Sequence, residues 1–471
     1  MKVLQVKNSW FSDSDLRLDA SYHLSDGPIA KARLKTSPYS LTTLKNECDK
    51  IFSGAIFKRT YVNSYKYGWP YLTGSDMVKA DINSGKYISK KSTKQAEELR
   101  IQKDWILISC SGTLGNCVFT NSDFEGRIGT HDLIRVIPNE KSVKKGYLYA
   151  YLASKYGYGL LIQSSYGGVV KHIEPHHIEN IPIPILPEAQ QQEINNLITK
   201  ATDLRVEANG LLKVSIEKFY DGINLAQEHL EALNKPLERE ISNSYKISMN
   251  ELSANTFRGR NYSPRKQRII NVLKTGEHNN LRDVLSVDPF YGARYKRIES
   301  HSLNSVELLS QGDIFDLKPK GRSIATRSIK NLHQEIVSKG TILIPAQGTL
   351  GENEIFGRAK FVWGYLEKKV IAGHAMRFIP DERRIQPGYL FAVLSSSLWF
   401  RMLRNTVYGT NLLGFIVPLI NDLPIPRIGN VKESEIDQLV KDAYEMLTIA
   451  NEYEYRAIEF VENEIESWQK S

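Results

Sequence analysis

The sequence predicts an α/β protein: two α/β domains in tandem repeat, separated by two long helices that pair as an antiparallel coiled coil. The first observation is that one ordered set of motifs occurs twice along the chain. The second is that each copy ends in a long segment whose apolar residues recur at helical spacing. The third is that each copy divides into a basic, strand-rich part and an acidic, helical part.

Five pairs of segments carry the repeat, in the same order in both copies. They are Ser111–Gly115 with Gln347–Gly351, Ile128–His131 with Ile371–His374, Gly146–Leu152 with Gly388–Leu394, Tyr166-Gly with Tyr408-Gly, and Ile181–Pro184 with Leu423–Pro426. The offset grows from 236 (Gly112 to Gly348) to 242 (Ile181 to Leu423), so the second copy holds extra residues between these motifs. A period this long indicates a duplicated domain rather than a solenoid. A duplicated domain suggests a ligand that presents two related sites.

Length and composition favour a cytoplasmic, multidomain protein. A chain of 471 residues has room for roughly two to four domains with separate cores. No apolar run approaches the length of about 18 residues that a membrane span needs, and the first residues are too polar for a secretory signal. Three cysteines do not form a disulfide framework, which favours reduced thiols in the cytoplasm.

The net charge of +9 is unevenly distributed. Residues 1–187 carry 25 Lys and Arg against 17 Asp and Glu, and residues 241–430 carry 27 against 15. Residues 188–240 carry 6 against 10, and residues 431–471 carry 4 against 11. Two basic modules therefore alternate with two acidic segments. Basic modules suit a polyanion such as a nucleic acid. A merely solvated surface is the alternative, and it is disfavoured because the split occurs in both copies.

The same four ranges are the predicted domains. Residues 1–187 form the first α/β domain, 188–240 the first helix and a linker, 241–430 the second α/β domain, and 431–471 the second helix. In the first domain, Trp105–Ser109 and Asp132–Ile137 have the apolar, β-branched composition of strands. Proline alternates through Ile181–Pro187, which excludes a helix or a central strand and predicts an extended exit strand.

The two helical segments begin near Glu188 and near Ser434. Each carries a single apolar stripe at three-four spacing, for example Ile194, Leu197 and Ala201 in the first segment. A long helix with one apolar stripe must bury it, and the other copy is the simplest partner, giving an antiparallel pair. The alternative is that each helix packs only on its own module.

No recognisable catalytic motif is present, so we predict a non-enzymatic protein without a cofactor or metal. Walker, dinucleotide-binding, nucleophile-elbow and amino-methylation motifs are all absent. His172, His176 and His177 lack the order of a helical metal site, and Pro175 interrupts them. Cys110 and Cys117 have no matching thiols in the second copy, which favours packed small residues over a reactive pair.

Basic and aromatic residues cluster at matching places, and we predict that they contact DNA. Arg and Lys neutralise phosphates or pair with guanine edges, and Tyr contacts backbone or bases. The alternatives are a solvated charged face and, for the glycine loops, turns needed only for folding. The predicted DNA-binding residues are Lys58, Arg59, Tyr61, Tyr65, Lys66, Tyr67, Ser111, Gly112, Thr113, Lys171 and His172 in the first copy, and Arg294, Tyr295, Lys296, Arg297 (aligned with the first basic segment at an offset of 237), Lys320, Arg322, Gln347, Gly348, Thr349 and Asn411 in the second.

One ordered set of segments has a familial resemblance. Lys103–Gly115 reads Lys-Asp-Trp-Ile-Leu-Ile-Ser-x-Ser-Gly-Thr-Leu-Gly, and Gly-Tyr-Leu follows at Gly146. Ile181–Ile194 reads Ile-Pro-Ile-Pro-Ile-Leu-Pro-Glu-x-Gln-Gln-x-Glu-Ile and leads into a long helix. This set, which recurs in the second half, resembles the specificity subunits of type I restriction–modification systems over essentially the whole chain. The second junction, after Ile425, lacks the Leu-Pro-Glu-x-Gln-Gln segment.

The resemblance implies a specific function. In that family, two α/β target-recognition domains each bind one half of a split site in double-stranded DNA, and two helices form a coiled-coil spacer. The spacer docks two methyltransferase subunits, and restriction/translocase subunits join the complex. The resemblance therefore implies a non-catalytic host-defence subunit that directs partner enzymes. Three alternatives remain: a scaffold or adaptor of another defence system, an enzyme with an unrecognised motif, and an RNA-binding protein.

Overall fold

The computed structural model describes residues 20–94, 96–163, 165, 171–235 and 246–468. The chain forms two compact units. Unit 1 contains Met1–Val206 and Ile449–Ser471, and unit 2 contains Glu207–Thr448. The Tyr166-Gly member of the sequence repeat and part of the predicted linker lie outside the described residues. No helix of the described ranges is long and apolar enough to cross a membrane.

The predicted α/β class is confirmed, because both units mix helices with short strands. The helices are α1 (Ala20–His23), α2 (Gly27–Leu34), α3 (Ala96–Leu99), α4 (Lys145–Ala153), α5 (Lys155–Gln163), α6 (Pro175–Ile178), α7 (Glu188–Gly222), α8 (Gln227–Asn234), α9 (Pro264–Leu273), α10 (Leu332–Glu335), α11 (Pro387–Ser395), α12 (Ser397–Leu403), α13 (Val417–Asn421) and α14 (Asn430–Ser467). The first long helix, α7, begins at the predicted Glu188, whereas α14 begins four residues before the predicted Ser434.

The strands of unit 1 are β1 (Leu41–Thr43), β2 (Cys48–Ser53), β3 (Tyr61–Val62), β4 (Gly68–Leu72), β5 (Tyr87–Ser89), β6 (Ile106–Ser109), β7 (Cys117–Phe119), β8 (Ile128–Gly129), β9 (Leu133–Pro138) and β10 (Pro182–Pro184). They form three sheets, with orders β2-β9-β6-β7, β3-β5-β4-β8 and β1-β10. The proline-rich exit segment is a strand, β10, and among the described strands its one partner is β1. An edge position tolerates proline because half of the backbone groups there are unpaired.

The strands of unit 2 are β11 (His278–Asn280), β12 (Ser305–Leu309), β13 (Arg322–Ala325), β14 (Ile342–Pro345), β15 (Lys360–Phe361), β16 (Val370–Ile371), β17 (Ala375–Phe378), β18 (Val407–Tyr408), β19 (Gly414–Phe415) and β20 (Pro424–Pro426). Their main sheets, β15-β14-β17 and β13-β12-β16, repeat the pairings β7-β6-β9 and β5-β4-β8 of unit 1. The pair β11-β20 likewise repeats β1-β10. The duplicated motifs of the sequence therefore correspond to duplicated strand pairings.

The helix after the central hairpin is held in the same way in both units. The Tyr147 hydroxyl donates to the carbonyl of Pro184 at 2.5 Å, and the Tyr389 hydroxyl donates to that of Pro426 at 2.6 Å. The amide of Gly146 donates to Asn195, and the amide of Gly388 donates to Asp437. Each pair of positions is separated by 242 residues in the sequence. These bonds tie the α4 and α11 helices to the exit strand and to the start of the long helix that follows.

A buried arginine occupies the same strand position in each unit. The Arg135 guanidinium donates to the carbonyls of Leu133 and Gly129, and the Arg377 guanidinium donates to those of Ala375 and Ile371. Both side chains are almost completely buried. Burial lowers the pKa of Arg135 to about 10. In each unit these bonds satisfy one carbonyl at the start of the arginine's own strand and one at the end of the preceding strand, so we assign the two arginines a structural role.

The two long helices contact each other through charged side chains. In unit 1, Arg205 of α7 lies 2.5 Å from the carboxylate of Glu454 in α14, and both side chains are buried. The Tyr149 hydroxyl also donates to Glu454, and Arg205 donates to the Asn451 side chain at 2.9 Å. In unit 2, Lys218 of α7 lies 3.2 Å from Glu435 of α14. Along α7 the contacts run from Arg205 to Lys218. Along α14 their partners come in the opposite order, because Glu435 precedes Glu454.

Replacing Glu454 by leucine is expected to destabilise unit 1, because it leaves Arg205 buried without its partner. Breaking a buried ion pair from one side costs about 3–5 kcal/mol of unfolding free energy. Urea unfolding followed by circular dichroism measures the loss. The matched control is Glu459→Gln, an exposed position on the same helix, where we expect a change within about 0.5 kcal/mol. Equal stability of the two variants would contradict this role of the pair.

Candidate nucleic-acid interface

The Ser111–Gly115 loop is the turn of the β6-β7 hairpin. Gly112 and Gly115 have φ values of +69° and +76°, which a residue with a Cβ adopts only with strain. The Ser109 hydroxyl donates to the carbonyl of Thr113 and accepts from the amide of Asn116, which closes the turn. Folding alone therefore accounts for the two glycines. Gly112 and Thr113 are nevertheless exposed at the tip, where a ligand has access to them.

Arg59 lies beside this loop in unit 1. Its Nη2 donates to Asp132 Oδ2 at 2.9 Å and to Thr130 Oγ1 at 3.1 Å, and it lies 3.3 Å from His131 Nδ1. The Ser111 side chain hydrogen-bonds the same Asp132 carboxylate. Ser111 also forms a backbone bridge with His172. The structure therefore brings three of the predicted residues, Arg59, Ser111 and His172, together.

The carboxylate of Asp132 is held in its charged form. Burial raises its pKa, but the charge of His131 and hydrogen bonds from Thr130, Arg59 and Ser111 outweigh burial and lower the pKa below its usual range. An ionised Asp132 neutralises Arg59 within the protein. The Asp132 side chain is not one of the residues predicted from the sequence to form the site.

A second group of unit 1 residues combines exposed tyrosines with cations. Tyr65 and Tyr67 are about 60% exposed, and Tyr61 packs edge-on against the buried ring of Tyr71. Lys90 Nζ lies 4.8 Å from the ring centre of Tyr65 and 4.6 Å from that of Trp69. Such cation–π pairs hold a charge over the aromatic surface.

The sequence reasoning missed the cations that complete this group. Lys90 directly follows β5, and Arg100 directly follows α3, so both are remote in sequence from the tyrosines. The guanidinium carbon of Arg100 lies 4.1 Å from the ring centre of Trp69. No sequence signal pairs them with Trp69, because the contacts depend on how β4, β5 and α3 pack.

The structure corrects the sequence alignment of the two copies around this site. Cys110 donates its amide to the carbonyl of Asp132, and Ala346 donates its amide to that of His374. His374 therefore takes the place of Asp132, an offset of 242, and not that of His131. The registers of β9 and β17 show the same shift, because Leu133 pairs with Ser109 and Ala375 with Pro345.

The basic segments are corrected in the same way. Ser89 donates its amide to the carbonyl of Thr60, and Ala325 donates its amide to that of Ile298. The offset here is 238 rather than the predicted 237, so Arg297 takes the place of Arg59. The second copy gains one residue between Leu285 and Phe290. Leu285 bridges Pro380 as Cys48 pairs with Pro138, an offset of 237, whereas Phe290 bridges Arg377 as Phe52 pairs with Arg135, an offset of 238.

In unit 2 the basic segment surrounds a cavity of about 380 Å³. Its lining contains the cationic side chains of Arg294 and Arg297, together with Tyr295 and His374. Burial, followed by the charges of Arg294 and Arg297, lowers the pKa of His374 below its usual value. His374 is therefore mainly neutral near pH 7 in the free protein.

The Gln347–Gly351 loop differs from its counterpart. Gly348 has no positive φ, and a Cβ built on it would meet Phe356 at 3.2 Å, so glycine serves close packing here. The carbonyl of Gln347 accepts from Gln311, and that of Thr349 accepts from Arg404. Gly348 also bridges Leu413, which places the exposed Asn411 segment beside this loop.

The other predicted lysines and Arg322 lie at the surface. Lys58, Lys66, Lys296 and Lys320 are exposed, and Lys171 is half-exposed. Arg322 is exposed and lies 3.9 Å from Glu299.

Neither the cysteines nor the histidines form a recognisable reactive centre. Burial raises the pKa of Cys110 to about 11, so its thiol is protonated and weakly nucleophilic at neutral pH. Within the described ranges, no group of three or more His, Cys, Asp or Glu side chains is arranged to hold a metal ion. The rings of His176 and His177 lie 3.9 Å apart, and His176 faces Glu174 at 3.4 Å.

Comparison with known proteins supports the resemblance over one part of the chain. Residues 43–218 match the family described as the type I restriction modification DNA specificity domain. The matched range contains the hairpin loop, the Arg59 site and nearly all of the first long helix.

Solved structures of similar overall extent include two specificity subunits. The S subunit of a type I system from M. genitalium is 12% identical, with a TM-score of 0.36, and the match covers 92% of this chain and 96% of that one. The HsdS subunit of Thermoanaerobacter tengcongensis is 12% identical, with a TM-score of 0.27 and coverages of 91% and 96%. A structure described as explaining assembly and conformational transition of the type I system is 11% identical, with a TM-score of 0.27 and coverages of 92% and 97%.

Proposed function

We propose that this chain, which carries a type I restriction–modification DNA specificity domain over residues 43–218, is a DNA specificity subunit that binds a bipartite target, one half-site per recognition domain. Specificity subunits are non-catalytic, and the chain shows no catalytic motif. The observation that carries the proposal is that both units place an arginine beside the segment that follows an equivalent strand. Arg59 lies beside Thr130 and Asp132 after β8, and Arg297 lines a cavity with His374 after β16. Two related sites on one chain suit two segments of one duplex.

The recognition domains in this proposal are residues 1–187 and 241–430. Their net charges of +8 and +12, from the counts given above, favour a polyanionic ligand. The segments 188–240 and 431–471, with net charges of −4 and −7, would be repelled by DNA. They are better suited to act as a spacer and to bind proteins. Linking two weak half-site binders would raise the overall affinity through effective concentration.

The partners of the proposed subunit are double-stranded DNA, two methyltransferase subunits and the restriction/translocase subunits, all in the cytoplasm. The methyltransferase subunits would carry out the methylation, and this chain would determine the DNA sequence at which they act. The alternative is a scaffold of another defence system that binds the same kinds of protein without reading DNA.

DNA binding by the purified chain tests the proposal against both the scaffold and the RNA-binding alternatives. Duplex DNA is expected to bind with an affinity that falls steeply with salt, and duplex RNA is expected to compete poorly. Lys58→Gln and Lys296→Gln should each reduce the slope of log affinity against log salt by about 0.9 if each lysine contacts one phosphate. Lys213→Gln, on the acidic helix α7, is the matched control and should leave the slope unchanged. A stable protein complex without DNA affinity would favour the scaffold.

We further propose that α7 and α14 form a coiled-coil spacer that sets the distance between half-sites. Both helices continue from one unit into the other, at Val206–Glu207 and at Thr448–Ile449. Each residue adds about 1.5 Å of helix, and each DNA base pair about 3.4 Å.

Inserting one heptad into both helices at these junctions is therefore expected to lengthen the preferred spacer by about three base pairs. Selection from a DNA library with randomised spacer lengths measures the preference. A heptad in one helix alone is the control, because it disturbs the pairing without lengthening both helices together. If the double insertion binds the original spacer best, the helices do not set the distance.

A further inference from the structure

The two equivalent arginines have opposite electrostatic surroundings. In unit 1, Arg59 is paired with Asp132 at 2.9 Å. In unit 2, the residue in the place of Asp132 is His374, which carries no negative charge in any protonation state. The same backbone arrangement therefore holds a neutralised cation in one unit and an uncompensated cation in the other.

A carboxylate that contacts the cavity lining, that of Glu335, is already paired with another arginine. Glu335 lies 2.9 Å from the Arg377 guanidinium, and it also accepts from the amide of Ala293 at 2.9 Å. Its side chain is almost completely buried. Among the residues that the structure describes, no acidic side chain forms an ion pair with Arg294 or Arg297. Two positive charges thus line the cavity without a counter-ion from any acidic side chain in the described ranges.

We propose that this cavity, lined by Arg294, Arg297 and His374, binds a phosphate group of the DNA backbone, and that the related site of unit 1 lacks this phosphate contact because Asp132 is paired with Arg59. The inference rests on the proposed DNA-binding function. Guanidinium groups match phosphate geometry and can donate two hydrogen bonds at once. A phosphate contact fixes the position of a domain on the duplex without reading the sequence. Unit 2 would therefore anchor the chain on DNA more strongly than unit 1.

The cavity also predicts a pH dependence of DNA binding. In the free protein, burial and the two arginines disfavour the charged form of His374, and Tyr295 and the engaged Glu335 are the other titratable groups nearby. A bound phosphate would favour the charged form and raise the pKa of His374. Binding then takes up a proton, so DNA affinity falls as the pH rises between the free and the bound pKa.

Exchanging the two equivalent residues tests the proposal in both directions. His374→Asp gives Arg297 a partner within the protein. DNA affinity should then fall less steeply with salt, and the magnitude of the slope of log affinity against log salt should decrease by about 1. Asp132→His leaves Arg59 without its partner and should increase the magnitude of this slope by about 1. Arg297→Gln should reduce the magnitude of the slope as His374→Asp does. Arg383→Gln is the matched control, because it removes an exposed arginine of unit 2 that is already paired with Asp381, and it should leave the slope unchanged. His374→Asn should flatten the pH dependence between about pH 5.5 and 7.5, where a histidine titrates.

Equal effects of Arg297→Gln and Arg383→Gln, or an unchanged slope for His374→Asp, would overturn the proposal. Thermal unfolding in inorganic phosphate separates the possible sources of the ligand. One outcome is that phosphate stabilises the wild type but not His374→Asp while the two proteins show the same dependence of DNA affinity on salt. In that case the cavity binds free phosphate and not the DNA backbone. Absence of DNA binding by the wild type would instead defeat the proposed function itself.

Discussion

Neither unit of this protein has a complete core without a helix from the other half of the sequence. The core of unit 1 includes Ala457, Val461, Ile465 and Trp468, which come from the last helix of the chain. The core of unit 2 includes Ala208 and Phe219 from the first long helix. Burial of apolar side chains is the dominant favourable term in folding, so each unit is stabilised by the helix that the other half contributes. The Arg205–Glu454 pair lies on this shared helical element and adds a polar requirement to the apolar one.

Duplication and divergence are both visible in this framework. The bonds that hold the fold together, from Tyr147 and Tyr389 and from Arg135 and Arg377, are the same in both units. The side chains around the loop ends differ, and Asp132 against His374 is the clearest case. A scaffold kept by identical buried hydrogen bonds can carry different surface chemistry in each copy. Shared buried hydrogen bonds together with different side chains at the loop ends agree with the proposal that the two modules bind different half-sites.

The sequence was sufficient to predict the elements that depend on periodicity and repetition. The repeat, the α/β class and the start of α7 at Glu188 could be predicted, because Pro-x-Pro and a three-four apolar stripe are strong local signals. The alignment of Arg59 with Arg297 was missed by one residue, since the intervening segments are irregular and impose no period. The cation–π contacts of Lys90 and Arg100 with Trp69 could not be predicted, because they arise from tertiary packing. The buried arginines could have been found, since both copies carry one at the same position of an apolar strand.

The central claim is that each recognition domain reads one half-site for a partner enzyme. The most direct measurement is methylome sequencing of cells that carry this chain with its methyltransferase subunit, compared with cells in which residues 1–187 come from another specificity subunit. We expect a split methylated motif that is absent without this chain, and the exchange should alter one half of that motif only. A stable complex that adds no methylation, or an exchange that alters both halves, would contradict the claim.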